Sequence, residues 1–301
     1  MVLPFAMISA QSLKNLKYRF EAAGLRLAIF LFRLIPVDAA SAVMGYLWRK
    51  IARFNPRHKR ALRHLELALP DTTPEQREKI ISGMWDNLGR VTAETFHIPD
   101  LLPQTSRFEI SVDAVTQKVF DGQQQAVFVS MHSGNWEMCV QPLVQADCDV
   151  AGVYQALKNP FADKALSNMR KDMYRLGLYS KSHKTARKLV SIVRQGGIIA
   201  IMGDLRETRG IKVPFFGREA YANPVPATLA RSGGVPIVVG RVVRTHGVHF
   251  RVEGRAIDVP VTSDRKADIQ SATEEVHRVF EEWIREYPDQ WMWIHRKWAK
   301  A

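Results

Sequence analysis

A histidine followed five residues later by a glutamate is the feature of this sequence best suited to chemistry. His132 follows the apolar run 127–131, a small polar turn comes next, and a helix is predicted to begin near Asn135. Ligands of open α/β sheets bind at the carboxyl ends of strands, which is where His132 stands. An imidazole accepts protons near neutral pH, and Glu137 in the first helical turn could reach back to a ring nitrogen and stabilise the imidazolium. We therefore predict a general-base pair, with free backbone N–H groups at the helix start for a developing oxyanion.

Other interpretations of this histidine remain open. A lone histidine beside a Gly-Asn turn is often a structural hydrogen-bonding residue. A metal site is not favoured, because the i, i+4 histidine spacing of zinc helices is absent and neither Cys139 nor Cys148 is placed as a third ligand. Two such cysteines indicate structural thiols in a reducing compartment.

A second polar cluster follows another apolar run. Asp204 comes just after the run 197–202, and Arg206 and Arg209 follow on a predicted loop. Loops at strand ends often hold substrates, and two arginines can bind the phosphate of a phosphorylated sugar bidentately. A surface loop of ion pairs would give the same pattern.

Alternating strands and helices must position these groups. Helical patterns are predicted at 185–194, at 226–231 and, near the end of the chain, at about 267–287. Strands are predicted at 126–131, 149–154, 197–202, 235–243 and 250–259. This alternation predicts an α/β fold with a central mixed sheet flanked by helices.

Residues 12–50 form a predicted helical region with an unusual charge pattern. Arg19, Arg26 and Arg33 recur every seven residues among large apolar side chains, and so form a narrow basic stripe. No uncharged apolar run of about 18 residues occurs, which disfavours a clean transmembrane helix. We predict that this region associates with a membrane interface; a buried helix with a basic edge is the alternative.

The charge balance indicates anionic partners. The formal net charge is +13, and a basic cluster occupies residues 57–64. Such a balance attracts nucleic acid, anionic lipid or acidic carrier proteins, although a basic cluster can also be a solvated helix face. No nucleic-acid motif is recognisable, and the aromatic residues are not interleaved with basic ones as single-strand binders require, so we predict no nucleic-acid partner.

The motif around His132 resembles that of a known superfamily. The sequence His-Ser-Gly-Asn-Trp-Glu at 132–137 is similar to the His-x-x-x-x-Asp/Glu motif of lysophospholipid-type acyltransferases. The chain resembles more closely the bacterial lipid A biosynthesis acyltransferase branch, and it does so over nearly its whole length. The other supporting segments are 55–58, 87–90, 287–291 and 295–296.

The resemblance implies a glycerolipid-acyltransferase-like fold and roles for several residues. His132 matches the general base, Glu137 its partner and Asp204 the second acidic position of the family. Residues 213–217 match a motif that helps form the cleft for the acyl chain and the acceptor.

One position departs from the family pattern. The family usually has an arginine four residues before the glycine that matches Gly177, and this chain has Met173 there. Arg170 or Arg175 could supply the missing charge. The predicted substrate-binding residues are therefore Asn135, Arg175, Asp204, Arg206 and Arg209.

These expectations combine into one reaction. An acyl chain would move from a thioester, that of acyl carrier protein, to a hydroxyl of a lipid A precursor, through a ternary complex that needs no metal or cofactor. The expected location is the cytoplasmic face of a bacterial inner membrane. Two alternatives are an acyltransferase acting on a lysophospholipid or phosphoinositide mannoside, and a non-catalytic basic protein that binds membranes.

We expect three regions along the chain. Residues 1–104 form the helical, membrane-associating region, residues 105–260 the α/β acyltransferase core, and residues 261–301 the C-terminal helix and tail.

Overall fold

The computed structural model of the chain describes residues 10–181 and 183–298. The helices of these residues, in chain order, are α1 (Ala10–Arg33), α2 (Val37–Ile51), α3 (Pro56–Ala68), α4 (Pro74–Phe96), α5 (Ile98–Leu101), α6 (Ala114–Phe120), α7 (Gln141–Gln145), α8 (Pro160–Met169), α9 (His183–Arg194), α10 (Val225–Gly233) and α11 (Arg265–Glu286). The strands are β1 (Phe108–Val112), β2 (Val127–Ser130), β3 (Val150–Tyr154), β4 (Leu178–Ser180), β5 (Ile198–Met202), β6 (Ile211–Phe215), β7 (Arg218–Ala222), β8 (Ile237–His246) and β9 (His249–Ile257).

A seven-stranded, mostly parallel sheet forms the centre of the fold. Its strand order is β1-β9-β8-β2-β5-β3-β4, and only β8 and β9 pair antiparallel. Strands β6 and β7 form a separate antiparallel hairpin. The prediction of an α/β fold with a central mixed sheet flanked by helices is confirmed.

Strand β2 lies inside this sheet and is buried on both faces, as parallel strands usually are. Its side chains alternate between two cores: Val127 and Val129 pack on one face, and Phe128 packs on the other. This strand delivers the following residues, 131–135, to the carboxyl edge of the sheet.

The five predicted strands correspond to β2, β3, β5, β8 and β9. The sequence did not reveal β1, which is largely exposed, or β4, which has three residues. The hairpin β6–β7 was also missed, since Pro214 interrupts the strand pattern of β6. The predicted helical region 12–50 is divided at Pro36, because proline cannot continue a helix.

Helix α4 begins with a strong cap and carries polar residues towards the centre. Thr73 and Gln76 form a capping box, and Pro74 occupies the first turn. Further along, Glu94 is fully buried, and both of its oxygens accept hydrogen bonds from Arg244 of β8, at 2.6 and 2.8 Å. Removing one partner of such a buried pair typically costs about 3–5 kcal/mol, so this contact fixes α4 against the sheet.

The N-terminal helices expose many apolar side chains. No helix among the described residues is long and apolar enough to cross a membrane. The predicted basic stripe contacts the rest of the protein in part: Arg33 pairs with Asp100 at 3.0 Å, and the Arg19 guanidinium lies over the ring of Phe161. The large exposed apolar residues of this region are Leu13, Leu16, Phe20, Leu27, Phe30, Leu31, Leu34, Ile35, Val43, Tyr46, Leu47, Ile51 and Phe54.

The chain segment after α11 folds back onto the edge of the sheet. Trp291 and Trp293 are among the largest fully buried side chains, and the N–H of Met292 donates to the carbonyl of His132 at 3.2 Å. Trp291 also forms an isolated β-bridge with Ser133. The aromatic tail is therefore part of the core and holds the loop that follows β2.

Candidate active site

The hydrogen-bonded pair at the carboxyl edge of the sheet is His132 and Asp204. Parallel pairing places Ser130 of β2 opposite Met202 of β5, so the residues two positions beyond each strand end are also opposite one another. Nδ1 of His132 lies 2.7 Å from Oδ1 of Asp204, and the backbone N–H of His132 donates to Oδ2 at 2.9 Å. Because the carboxylate can only accept, Nδ1 carries the proton and Nε2 is left to act as the acceptor.

Asp204 is held as a carboxylate. It is fully buried, which by itself raises its pKa, but the positive charge and hydrogen bonds of His132 outweigh burial and lower the pKa well below its ordinary value. The indole N–H of Trp291 donates to Oδ2 at 2.9 Å. Asp204 was predicted as a substrate-binding residue. Both of its carboxylate oxygens accept hydrogen bonds from within the protein, from His132 and from the tail.

Glu137 has a different partner from the one predicted. Its carboxylate accepts from Nε of Arg170 at 2.7 Å and from a second guanidinium nitrogen at 2.5 Å. Burial opposes the charge of Arg170, but the attraction of Glu137 prevails and raises the pKa of the arginine. The predicted contact of Glu137 with a ring nitrogen of His132 is thus replaced by a bidentate ion pair, because Asp204 already occupies Nδ1.

A cavity of about 480 Å³ joins these groups. His132, Glu137, Arg170 and Arg206 all line it. Its apolar wall is formed by side chains from several strands and from the tail, among them Phe128, Val153, Leu178, Ile201, Met292 and Ile294. A volume of this size accommodates a substrate-sized ligand, and the wall suits a hydrocarbon chain.

The predicted loop arginines separate into two groups. Arg206 lines the cavity, its guanidinium lies 5.5 Å from the centroid of the Tyr221 ring, and its buried Nε has no hydrogen-bond partner among the described residues. Arg209 is exposed and is not part of the cavity wall.

Arg175 is half-exposed and pairs with Asp147, away from the cavity. Arg170, rather than Arg175, therefore brings a positive charge to the site, although Met173 occupies the usual position.

Asn135 supports the loop instead of facing the cavity. It is fully buried, its amide donates to Glu94 at 2.8 Å, and its Oδ1 accepts from the N–H of Glu137 at the start of the 3₁₀ helix Trp136–Val140. Every described contact of the Asn135 amide is internal, so the structure places this predicted substrate-binding residue behind the loop.

At the helix start, where free backbone N–H groups were predicted, that of Glu137 donates to Asn135. Two N–H groups ahead of the helix also bond within the protein. The N–H of Ser133 donates to the carbonyl of Met131 at 2.8 Å, and that of Gly134 donates to Gln290 at 3.2 Å. Gly134 has a φ of +54°, and a β-carbon there would lie 1.9 Å from the carbonyl oxygen of Val242, so only glycine fits. These N–H groups hold the loop against the tail.

His295 is a site residue that the sequence reasoning did not select. Its ring centroid lies 5.6 Å from that of His132, and it lines the same cavity. Burial, and then the charge of His132, lower the pKa of His295 to about 4. The only signal in the sequence was its place in the His295-Arg296 part of the family resemblance, since 163 residues separate it from His132.

The cavity also contains a thiol. Cys139 lines the cavity, but burial raises its pKa to about 12, so it stays protonated at neutral pH and is a poor nucleophile. Among the residues that the structure describes, no group of three His, Cys, Asp or Glu side chains is placed to hold a metal ion. The polar groups at the reactive end of the cavity are those of an imidazole oriented by a carboxylate.

The family of the chain is identified by its sequence profile. Residues 8–300 match the sequence profile of the bacterial lipid A biosynthesis acyltransferase family. No curated protein sequence matches the chain significantly. Among solved structures, the 1-acyl-sn-glycerophosphate acyltransferase of Thermotoga maritima is similar over 84% of this chain and 100% of its own, with 12% identity and a TM-score of 0.36. The profile match covers nearly the whole chain, and this protein therefore belongs to the bacterial lipid A biosynthesis acyltransferase family and is an enzyme that transfers acyl groups.

Proposed function

We propose that the protein transfers a fatty acyl chain from acyl carrier protein to a hydroxyl of a lipid A precursor, at the cytoplasmic face of a bacterial inner membrane. The observation that carries this proposal is the His132–Asp204 pair at the end of a largely apolar cavity. A lysophospholipid or a phosphoinositide mannoside would require the same chemistry, and the family match favours the lipid A precursor.

His132 is the general base. Nε2 takes the proton of the acceptor hydroxyl as the hydroxyl oxygen attacks the thioester carbonyl carbon. The resulting tetrahedral intermediate collapses, the carbon–sulfur bond breaks, and the thiolate takes the proton from the imidazolium. Asp204 holds the ring in the required tautomer throughout, which is the supporting role of the acid in a Ser-His-Asp triad.

Glu137 contributes through Arg170. The bidentate ion pair fixes the guanidinium at the cavity wall, where its positive charge is available to an anionic part of a substrate. Glu137 is therefore a positioning residue for Arg170, and Asp204 is the one for His132.

Arg206 recognises the phosphate of the acceptor. Its Nε is buried and unpartnered, and the side chain lines a cavity whose wall also includes Lys181. A buried N–H without a hydrogen-bond acceptor is costly, and a bound phosphate would provide one. Lipid A precursors are phosphorylated sugars, so this contact suits that class of acceptor.

An acidic carrier protein fits a basic patch beside the cavity, which we define as Arg57, Lys59, Arg60, Arg63 and Arg296. Within the described residues none of these five forms an ion pair, and the charges of Arg60, Arg63 and Arg296 act together, after burial, to lower the pKa of His64. Arg57 also lines the cavity. No large apolar side chain of α3 or of the tail is exposed, which favours a polar protein partner over the lipid core.

A membrane surface is the partner proposed for α1 and α2. Phe20, Leu34 and Phe54 are 70%, 65% and 76% exposed, and lysines and arginines flank them. A contiguous apolar surface with a basic border is typical of helices that lie in the headgroup region.

The first prediction concerns the base. His132→Ala should lower the turnover rate by about 10²–10⁴-fold, since the acceptor hydroxyl loses its proton acceptor. Asp204→Asn should also lower the turnover rate, because the His132 ring would no longer be held in the tautomer that leaves Nε2 free to accept a proton. Glu137→Gln should have the smaller effect because Glu137 acts through Arg170. The measurement is single-turnover transfer of a radiolabelled acyl chain, followed by thin-layer chromatography.

Each variant is compared with wild type by its thermal unfolding midpoint. A folded His132→Ala protein with near-normal transfer would remove the proposed base. A larger loss in Glu137→Gln than in Asp204→Asn would restore Glu137 as the residue that orients the histidine.

The second prediction concerns the acceptor phosphate. Arg206→Gln should raise KM for the acceptor by about tenfold, the size of one lost charge-assisted hydrogen bond, and leave KM for the donor nearly unchanged. Arg209→Gln is the matched control on the same loop and should change neither. Equal effects of the two substitutions would contradict the assignment.

The third prediction concerns the donor. Reversing two exposed charges of the basic patch, Lys59→Glu with Arg63→Glu, should raise KM for acyl carrier protein by about tenfold or more, because electrostatic attraction speeds encounter. KM for acyl-pantetheine, which carries no acidic protein, should stay constant. The control reverses two exposed cations of α9, Arg187 and Lys188.

Two results would contradict this docking surface. One is an unchanged KM for acyl carrier protein in the charge-reversed variant. The other is a loss of binding to anionic vesicles with no change in KM, which would assign the patch to the membrane.

The fourth prediction concerns the membrane face. Replacing Phe20, Phe30 and Leu34 together by serine should reduce flotation with vesicles that contain anionic phospholipid, because the apolar contact area is lost. Val261, which is 66% exposed outside α1 and α2, provides the control substitution Val261→Ser. Undiminished flotation of the triple variant would mean that this face does not bind lipid.

A further inference from the structure

Attack on the thioester places negative charge on the carbonyl oxygen, and that charge needs a hydrogen-bond donor. Backbone N–H groups often provide it, but most of those in the loop after β2 already donate within the protein. The N–H groups that already donate within the protein are those of His132, Ser133, Gly134, Glu137 and Met138. On the facing tail, those of Met292 and Trp293 are also bonded. Side chains of the cavity wall with an unpartnered polar atom are therefore considered next as donors.

Three buried side-chain atoms of the cavity wall have no partner among the described residues: Ser130 Oγ, Arg206 Nε and His295 Nε2. The Ser130 hydroxyl lies beside the thiol of Cys139 and acts on its pKa. Arg206 lies on the loop after β5, against Tyr221. Only His295 makes ring contact with His132, at a centroid distance of 5.6 Å and an angle of 53° between the rings.

The tail holds His295 in this position. Its own N–H donates to the carbonyl of Met292 at 3.4 Å, and the neighbouring carbonyls of Trp293 and Ile294 bond to His64 at 2.8 Å and to Arg60 at 3.4 Å. Met292 in turn donates to His132. The two imidazoles are thus joined through a short, hydrogen-bonded stretch of backbone, which gives the second ring a fixed placement before substrate binds.

The charge state of His295 suits a hydrogen-bond donor that does not compete with His132 for the proton of the acceptor hydroxyl. His132, Asp204, Arg57 and His64 all face it, and burial together with the charges of His132, Arg57 and His64 keeps the pKa of His295 near 4. The ring is neutral at neutral pH, so it neither repels an imidazolium at His132 nor takes the acceptor's proton in its place. A neutral imidazole N–H is an effective donor to a developing oxyanion.

We propose that His295 is a second catalytic residue, whose Nε2–H donates a hydrogen bond to the thioester carbonyl oxygen as that oxygen becomes negative. The proton of the acceptor hydroxyl goes to His132, the carbonyl electron pair moves to the oxygen bound by His295, and the pair returns when the thiolate leaves. His295 stays neutral from start to finish. This role rests on the proposed function of His132 as the base.

The test compares His295→Leu with His295→Gln, since the glutamine amide can place an N–H near the position of Nε2. Removing one such donor typically lowers kcat by about 10²–10³-fold. We expect a loss of this size in His295→Leu, with KM for donor and acceptor nearly unchanged, and a substantial recovery of kcat in His295→Gln. The loss should be the same with acyl carrier protein and acyl-pantetheine as donors, because both present the same carbonyl.

His249→Leu is the matched control. His249 also has a buried ring nitrogen without a partner among the described residues, but it does not line the cavity, so its removal should leave kcat unchanged. The shape of the rate profile against pH should be the same in His295→Leu as in wild type, because His132 remains the base.

Three outcomes would overturn the proposal: wild-type kcat in His295→Leu, an equal loss in His295→Gln and His295→Leu, or a changed pH profile in His295→Leu. The first excludes a donor, the second indicates a packing role and the third makes His295 a base. His132→Ala is measured in the same assay, and normal transfer by that variant would overturn the proposed base separately.

Discussion

The parallel pairing of β2 with β5 is the constraint on which the rest of the site depends. Its register places the residues that follow Ser130 and Met202 side by side, and this alone brings His132 to Asp204 across 72 residues of sequence. Close packing supports the approach: a β-carbon at Gly203 would lie 2.6 Å from the side chain of Val129. A shift of one residue in this register would turn the carboxylate to the opposite face of the sheet.

Each buried carboxylate around the site has its own cationic or imidazole partner. Asp204 accepts from His132, Glu137 from Arg170 and Glu94 from Arg244. This separation lets the three charges remain buried without raising one another's energy, since an uncompensated charge in the interior is expensive. The three pairs also differ in role: the first is the proposed site of proton transfer, the second presents a guanidinium to the cavity, and the third holds α4 against β8.

The surface is divided in a corresponding way. The apolar side chains of α1 and α2 form a face suited to lipid, while α3 and the tail present cations and expose no large apolar side chain of their own. The cavity has Arg57 from α3 in its wall and His295 from the tail beside His132. The proposed transfer from a water-soluble donor to a membrane-bound acceptor would use such a pair of surfaces near one reaction centre.

The fold class, five of the strands and the position of His132 after a strand could be predicted from the sequence, because periodicity and turn residues are local signals. The resemblance to a known family added the prediction that the protein transfers acyl groups. The tertiary structure alone shows that Asp204 rather than Glu137 bonds to the histidine, that Arg170 rather than Arg175 lines the cavity, that the contacts of the Asn135 amide are internal and that His295 lies beside His132. These contacts join residues more than 30 positions apart through strand register, helix packing and the return of the tail, and spacing along the sequence carries no information about them.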